Sequence, residues 1–389
     1  MNIKYLIAAS ALTMSGAIAV QPIDPAKVYD TVSDIKCDSD QSCQLTPNIL
    51  VNKFVFSQNA VHASFVWKST RTSPVNIRPT GTASGEYVYV MGSMGGLPPN
   101  EISVLEYGAK CDATAGGSGT DDTAAFNAAI TASHSLNAIS RVIHTPPGYC
   151  KIGNIVWDLT AGGAGSTSLL GDGFGTILIT TSTSGGLDVR GSCANSEPFV
   201  MSGISFRNYT ATDSAFALRF YGMSGWRITG LFAGGQVSTG HYQRLFWGQG
   251  AQIGTINSFG GGGVRYGFVA DDCDNGAYKI STNSVKVSGI SLGGSGGYYT
   301  DGIGFAFIGG SSNNNISGGQ MGGFKTAFLQ NQTNSVGGGI GQNFVSGLHD
   351  ENGDGDIAGG ETMIDVKSGI LVVDAVNNVS GIVYNKFAT

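Results

Sequence analysis

A tripeptide of an aliphatic residue, Ser or Thr, and Gly recurs down the C-terminal half of the chain, and its spacing restricts the folds open to it. Copies begin at Met201, Ile228, Val287, Ile316, Val345 and Val379, at intervals of 27, 59, 29, 29 and 34 residues. Reading Ile256, Asn257 and Ser258 as a degenerate copy divides the 59 into 28 and 31. A period near 29 with Gly at the turns predicts a parallel β-solenoid, in which each coil is a few short strands joined by corners. Aliphatic residues then point inward, and Gly and Asn occupy the corners that need positive φ.

Composition removes the competing classes. Gly accounts for 61 of 389 residues, yet there is no strict triplet period, so collagen is excluded. Charged residues are only 12% and aromatics 10%, the wrong balance for disorder. The net charge is −6 and Lys and Arg are scattered, so no basic stripe is present to follow a phosphate backbone; no nucleic-acid partner is expected.

The first 100 residues have a different texture. Residues 1–19 read as a signal peptide or a retained hydrophobic N-terminus: a short basic start, an apolar run from Tyr5, and the small-x-small close at Ala17 and Ala19. The first reading predicts an exported, extracellular protein; the second is the alternative of a virion surface spike. Beyond Ala19 no second apolar run approaches the length of a spanning helix. Residues 20–97 carry less Gly and strand-like runs at Ile49–Phe56, Val61–Trp67, Pro74–Arg78 and Tyr87–Met91, which predicts a small β domain for attachment or oligomerisation. Gly92–Asn100 reads as a linker, and 98–389 as the solenoid. Six cysteines in an exported chain suggest disulfides. Cys37 and Cys43 are close enough for a local loop, Cys111 and Cys150 flank a segment whose ends are expected to meet, and Cys193 and Cys273 remain.

Four stretches carry a resemblance. They are Ile102–Asp112 (ISVLEYGAKCD), Gly119–Ile130 (GTDDTAAFNAAI), Val142–Tyr149 (VIHTPPGY) and Ser168–Ile177 (SLLGDGFGTI). Together they resemble the opening of the pectate-lyase-like right-handed parallel β-helix family, which includes phage tailspike depolymerases. The chain departs from that opening where Cys111 replaces Gly and Ala113 follows Asp112. The resemblance implies an all-β right-handed parallel β-helix with an N-terminal capping helix, and a polysaccharide as partner. It does not select among lyase, hydrolase and binder. A tailspike would also be a homotrimer. In physical terms, Thr120, Asp121, Asp122 and Thr123 supply oxygens and negative charge to a helix start. The apolar face that follows, from Ala124 to Ile130, suits a plug for the open end of a solenoid. Asp121 and Asp122 therefore read as structural.

Residues one coil apart stack about 4.8 Å apart, so a site on a solenoid is a column of outward side chains. Between 200 and 302 the only carboxylates are Asp213, Asp271, Asp272, Asp274 and Asp301. Asp272 and Asp301 are 29 residues apart, and Asp213 precedes Asp272 by 59 with Tyr242 between. Asp272 and Asp301 are thus the expected catalytic pair, with Asp213 in support; stacked carboxylates repel, and one becomes a general acid. Turn aspartates that cap local backbone are the competing reading. Val269–Cys273 (VADDC) also resembles an element of polygalacturonases, which adds Asp271, although the other elements of that family are missing. Tyr242, Arg244, Trp247, Tyr299 and Lys279 are the expected substrate contacts. If the substrate is a uronan, Arg244 or Lys279 is the candidate base. The five histidines form no triad or metal spacing.

Asp350–Glu361 (DENGDGDIAGGE) matches a twelve-position calcium loop, with ligands from Asp350, Asn352, Asp354, Asp356 and Glu361 and Gly355 at the sharp turn. Ca2+ is the one cofactor this suggests, with a solvated acidic turn as the competing reading, since no flanking helices are evident. The leading expectation is an enzyme that cleaves a surface or cell-wall polysaccharide. The alternative is a non-catalytic polysaccharide-binding virion spike or adhesin, attached through residues 20–97.

Overall fold

The computed structural model describes strands at 27–29, 48–56, 59–68 and 86–90, then most of 101–374, with 377–378 and 384–385. Within 101–374 it does not describe 136–139, 162–165, 194–197, 210–212, 236–240, 275, 277–278, 295–298, 333–341 and 351–361. The expected strand at Pro74–Arg78 and the cysteines at 37 and 43 lie outside the described residues.

The four early strands, Lys27–Tyr29, Asn48–Phe56, Asn59–Lys68 and Glu86–Val90, form one sheet in sequence order. Its first pair is parallel and the other two are antiparallel. The remaining strands belong to a second sheet that winds as a parallel solenoid of three walls.

Wall A carries the repeated tripeptide. Ile102, Ile143, Leu169, Met201, Ile228, Ile256, Val287, Ile316, Val345 and Val373 are successive in-register partners. The degenerate copy at Ile256 is in line, and the column ends at Val373. The copy at Val379 lies outside the described residues. On wall B the inward column runs Cys150, Leu178, Phe206, Ala233, Gly261, Leu292 and Met321. On wall C it runs Ile155, Leu187, Leu218, Phe246, Phe268, Phe305, Phe328 and Ile364. Phe246 stacks on Phe268 at 5.3 Å and Phe305 on Phe328 at 5.6 Å between ring centroids. Offset stacks and edge contacts of this kind add to the area these rings bury.

The corner from wall A to wall B explains the Gly of the tripeptide. Gly203, Gly230, Ser258, Gly289, Gly318 and Gly347 all have φ between 62° and 75°. Each of these six coils turns through one left-handed residue there, a conformation that costs a Cβ-bearing residue roughly 1–2 kcal/mol.

The helix Thr123–Ser135 (α1) closes one end of the solenoid, with Ala125, Phe126, Ala129 and Ile130 in the common core. Its two leading aspartates are structural. Asp122, almost fully buried, accepts from the backbone N–H of Lys110 at 2.7 Å and of Cys111 at 3.1 Å. Asp121 accepts from the backbone N–H of Thr123 at 2.9 Å, and its bonds to Thr123 hold its carboxyl below the usual range. Disulfides join Cys111 to Cys150 and Cys193 to Cys273. Among the described residues no helix is long and apolar enough to cross a membrane.

Candidate functional site

The outer face of wall C gathers most of the polar chemistry. On the strand Leu218–Tyr221 alternation turns Leu218 and Phe220 inward and leaves Arg219 and Tyr221 facing out. Asp188, Arg219 and Trp247 are in-register partners on three successive coils. Asp188 is buried, and its Oδ1 accepts Arg219 Nε at 2.8 Å while Oδ2 accepts a second Arg219 nitrogen and Arg190 Nε, the latter at 2.8 Å.

From Arg219 a ladder of guanidinium groups and rings crosses the wall. The Arg219 guanidinium lies 5.3 Å from the centre of the Trp247 ring. The Arg244 guanidinium lies 4.2 Å from the centre of the same ring and 5.7 Å from that of Tyr266. Arg265 follows at 5.4 Å from Tyr266 and 5.8 Å from Tyr299. Each contact sets a cation against a ring quadrupole, which keeps long arginine side chains flat on the wall.

At the end of the wall where the Tyr242 strand begins, Asp213 is the node. Its Oδ1 accepts the backbone N–H of His241 at 3.2 Å. Its Oδ2 accepts Gln243 Nε2 at 3.0 Å and also the Tyr299 hydroxyl. Gln243 Oε1 accepts Arg265 Nη1 at 3.1 Å, and Arg265 clasps Asp301 through Nε at 3.0 Å and a second nitrogen. That bond to Asp301 raises Arg265 above its ordinary pKa. Asp213 thus accepts three hydrogen bonds, one of them from a phenol.

At the opposite end, Asp271 Oδ1 accepts the backbone N–H of Asp272 at 2.8 Å and Oδ2 accepts Trp247 Nε1 at 3.4 Å. Burial pushes the Asp271 carboxyl up, against those bonds and the Arg244 charge. Burial also lowers Arg244.

The expected column of Asp272 and Asp301 does not form. Tyr266 pairs with Ile303 and Ala270 with Phe307, so Asp301 lies before the start of that pairing and Asp272 beyond its end. At about 3.3 Å per residue they are roughly 25 Å apart along the strands. The cause is coil length: 37 residues separate Phe268 from its partner Phe305, against 31 from Ile256 to Val287 on wall A. Asp272 serves a hairpin instead. Its strand pairs antiparallel with Lys279–Ser281, Oδ1 accepts the backbone N–H of Gly310 at 2.8 Å, and Lys279 Nζ lies 3.4 Å from Oδ2. Lys279 is accordingly tied to Asp272, away from the ladder. Tyr242 also departs from expectation. It is fully buried, with its hydroxyl 2.9 Å from Thr180 Oγ1, and burial pushes its pKa far up. A ring in the core offers no face to a sugar.

Asp213, Asp301, Tyr299, Arg244, Trp247 and Asp271 do share one surface, with Asp271 roughly 25 Å along the strands from Asp213, because Ser214, next to Asp213, pairs with Tyr242 while Asp271 pairs with Gln249, seven residues further on. Sequence reasoning missed Asp188, Arg190, Arg219, His241 and Gln243. For Asp188 and Arg219 a signal existed: with Trp247 they recur at near-coil spacing and alternate with apolar residues. Of the calcium loop, Asp350 ends the strand Gln342–Asp350, and Asn352, Asp354, Asp356 and Glu361 lie outside the described residues. Among the described residues the one close set of metal-type ligands is Cys111, Asp122 and Cys150, and its sulfurs are committed to a disulfide. Two clefts on wall B, of about 300 and 220 Å³, share Gly261 and contain no carboxylate, so they lie apart from this chemistry.

No protein-family model matches the chain, and no curated protein matches it. Solved structures do. The enzymatically active domain of tailspike protein 2 of bacteriophage CBA120 aligns at 10% identity and TM-score 0.38, over 87% of this chain and 57% of that one. The tailspike gp49 of Acinetobacter baumannii bacteriophage Fri1, a capsular polysaccharide depolymerase, aligns at 11% identity and TM-score 0.42, over 90% and 62%. WceF of Pantoea stewartii, a glycan biofilm modifying enzyme with a tailspike-like parallel β-helix, aligns at 11% identity and TM-score 0.44, over 92% and 54%. The chain spans less than two thirds of the length of each.

Proposed function

We propose that the protein is a polysaccharide-active β-helix that holds a glycan along the outer face of wall C and cleaves it at the Asp213 end. The observation that carries this reading is the unbroken ladder from Arg219 through Trp247, Arg244, Tyr266 and Arg265 to Tyr299, which ends on a carboxylate–phenol pair. Rings flanked by hydrogen-bonding groups suit the apolar faces and hydroxyl edges of sugars.

In this reading Asp213 is the proton acceptor and Tyr299 the proton donor. If the bond is hydrolysed, Asp213 takes a proton from the attacking water and the Tyr299 hydroxyl gives one to the leaving oxygen. If it is eliminated, Asp213 takes the proton from carbon and Tyr299 protonates the same leaving oxygen. Asp301 holds Arg265 in place, and Asp271 orients the Trp247 indole. The Asp350–Glu361 loop is proposed as a separate Ca2+ site on its sequence alone. Export, a trimeric assembly and attachment through residues 20–97 belong to the same proposal.

The second reading, a non-catalytic spike or adhesin, is favoured by one feature: Asp301 is fully engaged by Arg265. Incubation with host-surface and plant polysaccharides separates the two. New reducing ends without unsaturated-uronate absorbance identify a hydrolase, and both signals together a lyase. Loss of either signal in Asp213→Asn and Tyr299→Phe is the expected result. Glycan binding with neither signal, or full turnover in both variants, overturns the catalytic assignment.

A further inference from the structure

The proton pair is backed by a histidine that sequence spacing did not single out. His241 is 1% exposed and sits directly behind Asp213. Its backbone is fixed on both sides: the N–H donates to Asp213, and the carbonyl accepts Asn208 Nδ2 at 2.8 Å and the Ser214 N–H at 2.9 Å. Its ring touches both members of the pair, with Nδ1 3.6 Å from Asp213 Oδ1 and the ring set edge-on to Tyr299 at 5.7 Å between centroids. Arg265 and Asp301 are the next charges outward, beyond Tyr299 and Gln243.

We infer that His241 is a positioning residue of this site: as a neutral ring it fixes Asp213 against Tyr299, and as a cation it captures the Asp213 charge and stops that carboxylate from accepting a proton. The inference rests on the proton-acceptor role proposed for Asp213. Burial holds the His241 pKa below its ordinary value of 6.5, and the Asp213 carboxylate works against that shift. The neutral ring is therefore the working form near neutral pH, and the site closes on acidification.

Two measurements test this, and the first needs no substrate. Ring resonances of the five histidines are followed against pH in the wild type and in Asp213→Asn, with His241 assigned by its disappearance in His241→Gln. The expected result is a His241 midpoint below 6.5 that moves lower still when the Asp213 charge is removed. A midpoint indifferent to Asp213→Asn overturns the coupling. The second measurement is the pH profile of turnover. His241→Phe should lower kcat by about tenfold or more with KM nearly unchanged, and His241→Gln should recover rate while losing the wild-type acid limb. A wild-type acid limb in His241→Gln overturns the positioning role. If no polysaccharide is turned over by any variant, the catalytic reading fails, and the resonance titration still decides whether His241 and Asp213 are coupled.

Discussion

Asp271 shows how one side chain can work against stability while serving a surface. Burial pushes its carboxyl up, against the hydrogen bond from Trp247, so above the ordinary carboxylate value the folded state holds a proton that the unfolded state has lost. Stability linked to this group is complete below 3.8 and declines as pH rises through the folded value. Asp271→Asn removes the ionisation and keeps an acceptor for the indole. It should raise the denaturant midpoint at pH 7, with the gain closing as pH falls below 3.8. A midpoint that is the same for both proteins at pH 7 would contradict the burial effect. Much of the rest at this scale was hidden from sequence. Tyr242 and Trp247 are five residues apart, and only the inward packing of Tyr242 onto Thr180 separates a core ring from a ladder ring. His241 and Gln243 acquire meaning only when coils bring Asp213 and Tyr299 to them.

At the scale of the element, wall A was legible and wall C was not, for one physical reason. Wall A and its corner toward wall B are built from short turns, so coil length there stays near the repeat, and the left-handed corner demands Gly. The way into wall C varies from coil to coil: the strand Thr255–Asp274 runs straight into it, and the distance between Phe partners swings from 22 residues, Phe246 to Phe268, to 37, Phe268 to Phe305. A fixed spacing of 29 fails there, which is why the aspartates did not align. The corner makes its own prediction. Ser258 alone among the corner residues from Gly203 to Gly347 carries a Cβ at φ 62°. Ser258→Gly should stabilise the protein by about 0.5–1 kcal/mol, the relief of left-handed strain less the added freedom of the unfolded chain. Gly318→Ala, at φ 68° with nothing within 4 Å of the added methyl, should cost about 1–2 kcal/mol from backbone strain alone. Equal midpoints for wild type and both variants would sink the account of the repeat.

For the whole molecule, stability is close to a sum over coils and the interfaces between them. Those coils are not equally braced. The N-terminal ones carry α1, the Cys111–Cys150 bridge and the Cys193–Cys273 bridge, whereas no disulfide lies beyond Cys273 among the described residues. Phe268 stands at the junction, in contact with Phe246 at 5.3 Å, Phe305 at 6.0 Å, and Phe259 and Phe307 at 6.4 Å each. Removing it cuts the aromatic column between the braced coils and the unbraced ones. Phe268→Ala should cost about 3–5 kcal/mol, as for other large core rings, and the loss should fall unevenly. Amides on the strands from Asn315 onward should lose their protection from hydrogen exchange first, while those on Ser140–Ile152 keep theirs, and thermal unfolding should divide into two steps. A single transition with uniform loss of protection would mean that the coils communicate through more than their neighbours, and that the solenoid folds as one indivisible unit.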